Sequence, residues 1–373
     1  MTGAAGGGAG GAPGRAGRGR AAGGGLVGSV GVPLVALAFS FALGAALVAA
    51  IGRNPGEVYA ELLRGTLGTP YGIGQVLFKA TPLIFTGLAC ALAFRAGLFN
   101  IGAEGQLYVG AFATAWAGLT FPGLPAVLLV PLCLAAGALA GAAWGAVPGY
   151  LKARFGAHEV INTIMLNFVA IALTGYFVAH VYVVAESMHT PEIAPAARLW
   201  RLERFLPGLA GSPVNVTFLL ALACAAACGF FLWRTRAGYE LRVAGLSATA
   251  AEYAGVRAGP ATVGAMALSG ALAGLGGSNF VMGYKHYFET GFSNGIGFMG
   301  LAVALLGRNH PAGVVLAALL FGVLSHGALV INTLVPKELV EIIQAVVILS
   351  VIVSSNVFQD LVRVRRKARV GAA

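Results

Sequence analysis

Ten apolar stretches run through the chain, at roughly 30–52, 75–95, 105–121, 126–149, 160–184, 214–233, 261–282, 293–307, 312–333 and 339–357. A hydrocarbon core about 30 Å thick is crossed by about 20 helical residues. Inside it the backbone has no water to bond, so a chain must cross as helix or as closed barrel. Runs of this length predict helix. The expected fold is an all-α, polytopic transmembrane bundle of about ten spans. The stretch 293–307 is short and Gly-rich, and arrangements with eight or nine spans and re-entrant pieces fit the same pattern. Hydrophobic residues make up 58% of the 373 residues and charged ones 10%, against about 25% charged in soluble domains. Such a chain takes lipid as its solvent.

Charge gives the orientation. With the N-terminus inside, the inner segments hold Arg15, Arg18, Arg20, Arg95, Lys152, Arg154, Arg234, Arg236, Arg242, Arg257, Arg308, Arg363, Arg365, Arg366, Lys367 and Arg369, or 16 of the 24 Lys and Arg. Excess Lys and Arg mark cytoplasmic loops, which predicts an N-in, C-in protein. The net charge of +11 therefore reads as topology and contact with anionic lipid headgroups, not as a nucleic-acid surface. The expected organisation is a disordered basic Gly/Ala/Arg-rich tail (1–25), a transmembrane domain (26–357) and a basic cytoplasmic tail (358–373). Leu26 to Gly52 is too long for a signal-peptide core and has no clear cleavage site, so it stays as a membrane helix.

Between spans, two loops stand out. The outer loop 185–213 carries four prolines with Glu186, Glu192 and Glu203 beside Arg198, Arg201 and Arg204. It is either a solvated connection or a docking surface for an external solute receptor. The inner loop 234–259 is rich in helix formers. Ser247 is placed to cap a short helix through Ala248–Ala254, and Gly255 to end it. An amphipathic helix outside the membrane rests on lipid or inserts into a partner and carries its motion to the spans.

Three stretches resemble bacterial importer permeases. The loop has Glu240, then Arg242-Val243-Ala244-Gly245-Leu246, then Ala250-Ala251-Glu252-Tyr253-Ala254-Gly255-Val256. A second stretch reads Pro82 to Leu88, then Ala91-Leu92-Ala93-Phe94-Arg95-Ala96-Gly97-Leu98-Phe99-Asn100-Ile101-Gly102-Ala103-Glu104-Gly105-Gln106. A third has Gly297, Gly300 to Arg308, Pro311, Gly313 and Phe321-Gly322. Together, over about residues 30–355, these are similar to the permeases of ATP-binding-cassette importers of the nucleoside and simple-sugar type, related to ribose and branched-chain amino acid permeases. The resemblance implies a multi-pass protein of the bacterial inner membrane that imports a small polar solute, a nucleoside first and a pentose or ribose-like sugar second. It implies a cytoplasmic ATPase contacting Tyr239, Glu240, Arg242, Gly245, Leu246, Ala250, Ala251, Glu252, Tyr253 and Gly255. It also implies a dimer with itself or a homologous permease, and an external substrate-binding lipoprotein.

Polar residues inside the apolar stretches are the candidates for a solute path. Arg95, Asn100, Glu104 and Gln106 interrupt the run from Pro82 to Leu119, and Gly97, Gly102 and Gly105 weaken a continuous helix there. Polar groups of this kind line a cavity or sit in protein, either as a broken helix at the path or as an ordinary cytoplasmic turn. Asn162, Asn167, Asn279 and Asn294 either join helices by hydrogen bonds or offer donors and acceptors to a solute. Tyr284, His286, Tyr287 and Phe288 either stack on a base or anchor the chain at the interface. His158 beside Glu159, at an inner edge, reads as structural. Gly-Ala-Leu-Ala-Gly occurs at 137–141 and again at 270–274, in helices expected to run in opposite directions. That is the mark of an inverted repeat, or a coincidence in a chain with 56 glycines; the Gly spacing favours close helix packing either way.

Some chemistry is missing. None of Lys79, Lys152, Lys285, Lys337 and Lys367 follows a Gly, so the chain lacks the Gly-Lys-Ser/Thr cradle for phosphates. It is not expected to be an enzyme or to bind a cofactor: ATP and magnesium belong to a separate subunit. Cys90, Cys133, Cys224 and Cys228 lie in apolar runs. The pair 224/228 shares a helix face but has no His or carboxylate nearby, so no metal site is expected. An ion-coupled secondary transporter, the rival from another class, needs intramembrane carboxylates, for which only Glu104 stands.

Overall fold

The computed structural model describes residues 26–336 and 338–350; the two basic tails assigned from sequence lie outside them. The described residues form fourteen helices: α1 (Leu26–Ala50), α2 (Pro55–Leu67), α3 (Pro70–Arg95), α4 (Ala103–Thr120), α5 (Ala126–Phe155), α6 (Glu159–His180), α7 (Thr217–Arg234), α8 (Arg236–Leu246), α9 (Ala248–Tyr253), α10 (Ala258–Gly276), α11 (Ser278–Val281), α12 (Ile296–Leu306), α13 (Pro311–Val330) and α14 (338–350). Among the described residues there is no strand, only isolated bridges between His189 and Glu289 and between Arg201 and Asn215. The protein is all-α. Each apolar stretch overlaps a helix, but six of the described helical segments are long and apolar enough to cross a membrane: α3, α5, α6, α7, α10 with α11, and α13. The segment 293–307 forms an eleven-residue helix, about 16 Å long at 1.5 Å per residue and so only about half a crossing. α2 interrupts the chain between the first two apolar stretches. It is amphipathic, with Asn54 capping its first turn through Gly56 N and Pro55 at its first position, where a missing N–H costs nothing.

α3 is the axis. Thr69 caps it by accepting from Gly72 N, and from Ala80 to Ala93 every side chain is buried. α7, α10, α12 and α13 surround it, packing Ile84, Phe85, Leu88 and Leu92 against Met266, Val303 and Phe321. Lipid tails are as apolar as Leu, so such contacts stabilise by close packing rather than by escape from water. That puts weight on how near the backbones come. α5 and α10 run antiparallel with glycines at their contact: a Cβ on Gly141 would strike the Gly270 carbonyl, one on Gly274 the Gly137 carbonyl, and one on Gly110 of α4 the Gly274 backbone. The two Gly-Ala-Leu-Ala-Gly copies face each other across this seam. They run in opposite directions, as expected from the sequence.

The bundle has two distinct ends. At one, the turn after α3 meets α8 and the turn between α12 and α13. At the other, the loop 185–213 is tied down by Thr190 N to Phe288 O (2.9 Å), Ile193 N to His286 O (2.8 Å), Leu199 N to Met282 O (2.9 Å) and Leu202 N to Val214 O (2.9 Å). The loop is thus an ordered cover with three 3₁₀ turns, at Pro195–Ala197, Leu202–Arg204 and Pro207–Leu209.

Candidate functional site

Two helices begin inside the bundle. α12 starts level with the middle of α3, where Thr86 Oγ1 lies 3.3 Å from Ile296 O, about 13 Å from Arg95 at 1.5 Å per residue. After Arg95 the chain doubles back beside α3, bringing the Asn100 carbonyl to Cys90 Sγ (3.6 Å), and α4 starts from there. A helix that starts in an apolar region leaves donors without partners. Here Glu104 meets them: its carboxylate accepts from Ser293 Oγ and from Gly297 N (2.6 Å) at the head of α12. The carboxyl sits where the α12 dipole favours negative charge, and it lies in the first turn of α4 as well. Asn167 on α6 serves the head of α4, accepting from Gly105 N (2.8 Å) and donating to Ile101 O (2.9 Å).

Asn100 and Gln106 are fully buried and bond each other. Asn100 Nδ2 donates to Gln106 Oε1 (2.8 Å) and to Ser269 Oγ (2.7 Å), and its Oδ1 accepts from Gly102 N (2.9 Å) and Gln106 Nε2 (3.2 Å). Ser269 Oγ donates in turn to Ala89 O (2.7 Å). Asn279 lies apart from this junction. Pro82 has no N–H to give the Phe78 carbonyl four residues earlier, and Asn279 Nδ2 reaches that oxygen instead (3.4 Å), while its Oδ1 accepts from Asn215 Nδ2 (3.1 Å). Asn162 is half-buried and its Nδ2 has no partner among the described residues. Asn294 (φ +46°) lines a cavity of about 270 Å³ at the end covered by the loop. The seven candidates therefore do not form one site: five spend their amide or carboxylate groups joining helices, and two sit apart. Ser269, Ser293 and Asn215 complete these ties. Small polar residues in an Ala- and Gly-rich stretch give no pattern that singles them out.

The cavity beside Asn294 is lined also by Tyr284, Lys285, Tyr287, Glu289 and Phe292. Tyr287 stacks on His189 (4.2 Å) under the Lys285 ammonium (5.7 Å), and Lys285 pairs with Glu289 (2.9 Å). That carboxylate raises the Lys285 pKa above the ordinary lysine value. His286 is held below the usual histidine value, first by burial and then by Arg198 and Arg201. Phe288 is fully buried, packed on Phe112 and Phe292; it belongs to the core.

At the opposite end, α8 and α9 project. Thr235 caps α8 by accepting from Gly238 N, Ser247 caps α9 by accepting from Ala250 N, and Gly255 (φ +78°) follows α9. Leu241 and Ala251 are buried and seat the pair, whereas Leu246 and Tyr253 are 87% and 91% exposed and Tyr239 is more than half exposed. Ala250, Glu252 and Gly255 are exposed too, and Glu240 pairs with Arg236 (2.8 Å). Gly245 lies on the backbone of Arg95 and Ala96, and a Cβ on Gly97 (φ +70°) would meet the Gly245 carbonyl at 2.7 Å. Arg95 reaches on from there. Its Nε donates to Asn309 O (2.9 Å), and its guanidinium lies over Trp233 (5.4 Å), which packs on His310 (4.9 Å). The half-buried Arg242 has a buried Nε with no partner among the described residues. All three stretches that carry the family resemblance meet here. Among the described residues no group of three or more His, Cys, Asp or Glu could hold a metal.

Comparison with known proteins agrees. The chain is 41% identical over 324 residues to the guanosine ABC transporter permease protein NupP of Bacillus subtilis, covering 86% of this chain and 92% of that protein. It is 36% identical over 323 residues to the nucleoside ABC transporter permease protein NupB of Lactococcus lactis subsp. cremoris (85% and 89%), and 36% identical over 332 residues to a glucose ABC transporter permease protein of Haloferax volcanii (87% of each). No solved structure matches. The family profile described as branched-chain amino acid transport system / permease component matches residues 72–352, and the chain, a multi-pass membrane permease, belongs to that family.

Proposed function

We propose that this permease carries a nucleoside inward across a bacterial inner membrane, driven by a separate ATPase that grips α8 and α9 from the cytoplasm. The observation that carries the reading is the exposed pair Leu246 and Tyr253, on helices braced through Gly245 and Arg95 against α3, α7 and the α12–α13 turn. Apolar side chains this exposed on a rigid mount suit a groove on a partner. The bracing would carry a push on α8 to α3 and to the turn between α12 and α13. The solute class follows the guanosine and nucleoside permeases it is similar to. In this reading both termini are cytoplasmic, the apolar segments make about ten crossings with α12 as a partial one, and the loop 185–213 receives an external binding protein. A second permease chain completes the path. ATP and magnesium bind the ATPase alone.

A sugar is the second reading, favoured by the similarity to a glucose permease. The deciding experiment offers the receptor that co-purifies with the permease a panel of nucleosides, pentoses and amino acids. Binding of nucleosides alone supports the proposal, and sugar binding moves the assignment to the second reading. Failure to co-purify either a receptor or an ATPase would overturn the importer reading altogether.

A further inference from the structure

One charged side chain within the bundle has no protein partner. Lys79 stands nine residues into α3, about 13 Å from its loop-covered end and about 24 Å from Arg95 at 1.5 Å per residue. Among the described residues it makes no ion pair and no hydrogen bond. A bare ammonium at this depth does not face lipid; it faces a water-filled path or a partner.

Its surroundings are polar. Tyr71 and Gln75 precede it by eight and four residues on the same stripe of α3, with Gln75 Nε2 donating to the Tyr71 hydroxyl (2.8 Å). Across from them on α13 stands His326, edge-on to the Tyr71 ring at 6.4 Å. His326 is only 8% exposed, yet its Nδ1 is buried without a partner among the described residues. Gly322, one turn before it, rests on the backbone of Val76 and Ala80, which sets α13 close against α3. Tyr71 remains half exposed, so the stripe opens outward from the fold.

We propose that Tyr71, Gln75, Lys79 and His326 form a solute-binding subsite on the translocation path. The group offers the three protons of the ammonium, the Tyr71 proton and a histidine N–H, against two acceptors, Gln75 Oε1 and the other ring nitrogen. A donor-rich set of this kind takes a solute through its acceptor oxygens, carbonyl and hydroxyl among them. A nucleoside presents both, on base and ribose; that identity of the solute rests on the function proposed above, and the site itself does not.

The test uses the whole transporter, with its ATPase, second permease and receptor, in proteoliposomes. Wild-type uptake of radiolabelled guanosine and uridine is the control that the nucleoside reading must pass by itself. Lys79→Met is expected to lower kcat/KM for uptake at least tenfold, and Lys79→Arg to keep most of it. Lys79→Cys, in a background with the four native cysteines replaced by alanine, is expected to react with a charged, membrane-impermeant methanethiosulfonate more slowly when guanosine is present. Protection by glucose instead would keep the subsite and sink the nucleoside reading. Labelling unchanged by any solute, or absent both with and without ATP, would overturn the subsite. So would loss of the second permease from the purified Lys79→Met complex, because Lys79 would then neutralise a carboxylate across a subunit interface.

Discussion

Single side chains in this protein repair backbone that the fold has broken, and Asn279 shows it most simply. Pro82 opens the α3 hydrogen-bond ladder at Phe78, and Asn279 closes it from α11. Leaving a buried carbonyl without a donor costs about 1–3 kcal/mol. Asn279→Ala is therefore expected to lower the melting temperature of the detergent-purified protein clearly. In a Pro82→Ala background, where the substituted residue brings an N–H of its own, the same change should cost less, by about 1 kcal/mol in a double-mutant cycle. Equal losses in the two backgrounds would rule out the repair. Glu104 and Asn167 do likewise for the heads of α12 and α4. The sequence marks these residues as unusual, since polar groups in apolar runs must be buried or line a path, but not which. A hydrogen bond to a backbone group 193 positions away, as between Glu104 and Gly297, leaves no trace in local spacing. Lys79 and His326 are hidden for the opposite reason: each stands alone in its own apolar run, and only the packing of α13 on α3 makes them a pair.

Helices and loops were more legible. The 3.6-residue cap logic placed α9 between Ser247 and Gly255, and the apolar runs marked every long helix. The depth of α12 was not readable, because an apolar run reports burial and not where in the bundle it begins. The loop 185–213 is held to the 282–290 segment chiefly by backbone bonds, which composition does not encode. Its attachment should respond to pH. His286, whose carbonyl receives Ile193 N, is held below the ordinary histidine value by burial and by Arg198 and Arg201, with Glu192 opposing. The folded protein thus binds fewer protons here than the unfolded chain, and stability is full above the ordinary histidine range and lost as pH falls through it. Hydrogen exchange at the Thr190 and Ile193 amides, corrected for intrinsic rate, should show protection falling between about pH 7.5 and pH 5.5. His286→Asn, which tolerates the left-handed backbone at this position (φ +66°), should lose that dependence. Persistence in the variant would assign it to another group.

At the scale of the molecule, charge predicts the orientation. The basic turns gather where α8 and α9 project, and excess Lys and Arg select the cytoplasmic side. With the native cysteines replaced, a thiol introduced by Tyr253→Cys should escape an impermeant reagent added outside sealed right-side-out vesicles, and one introduced by Trp200→Cys should react. Both positions are exposed, so the reverse result would invert the protein. The seam between α5 and α10 carries a consequence of another kind. Its contact at Gly141, Gly270 and Gly274 is backbone on backbone, with no side chain to give way, and a Cβ on Gly137 would strike the Thr114 hydroxyl. Every base change in a glycine codon that alters the residue adds at least a Cβ. These codons therefore have no conservative neighbour. Loss-of-function missense alleles should pile up along the two copies of Gly-Ala-Leu-Ala-Gly as heavily as at any residue that touches the cargo, and a genetic screen alone would mistake the seam for a binding site.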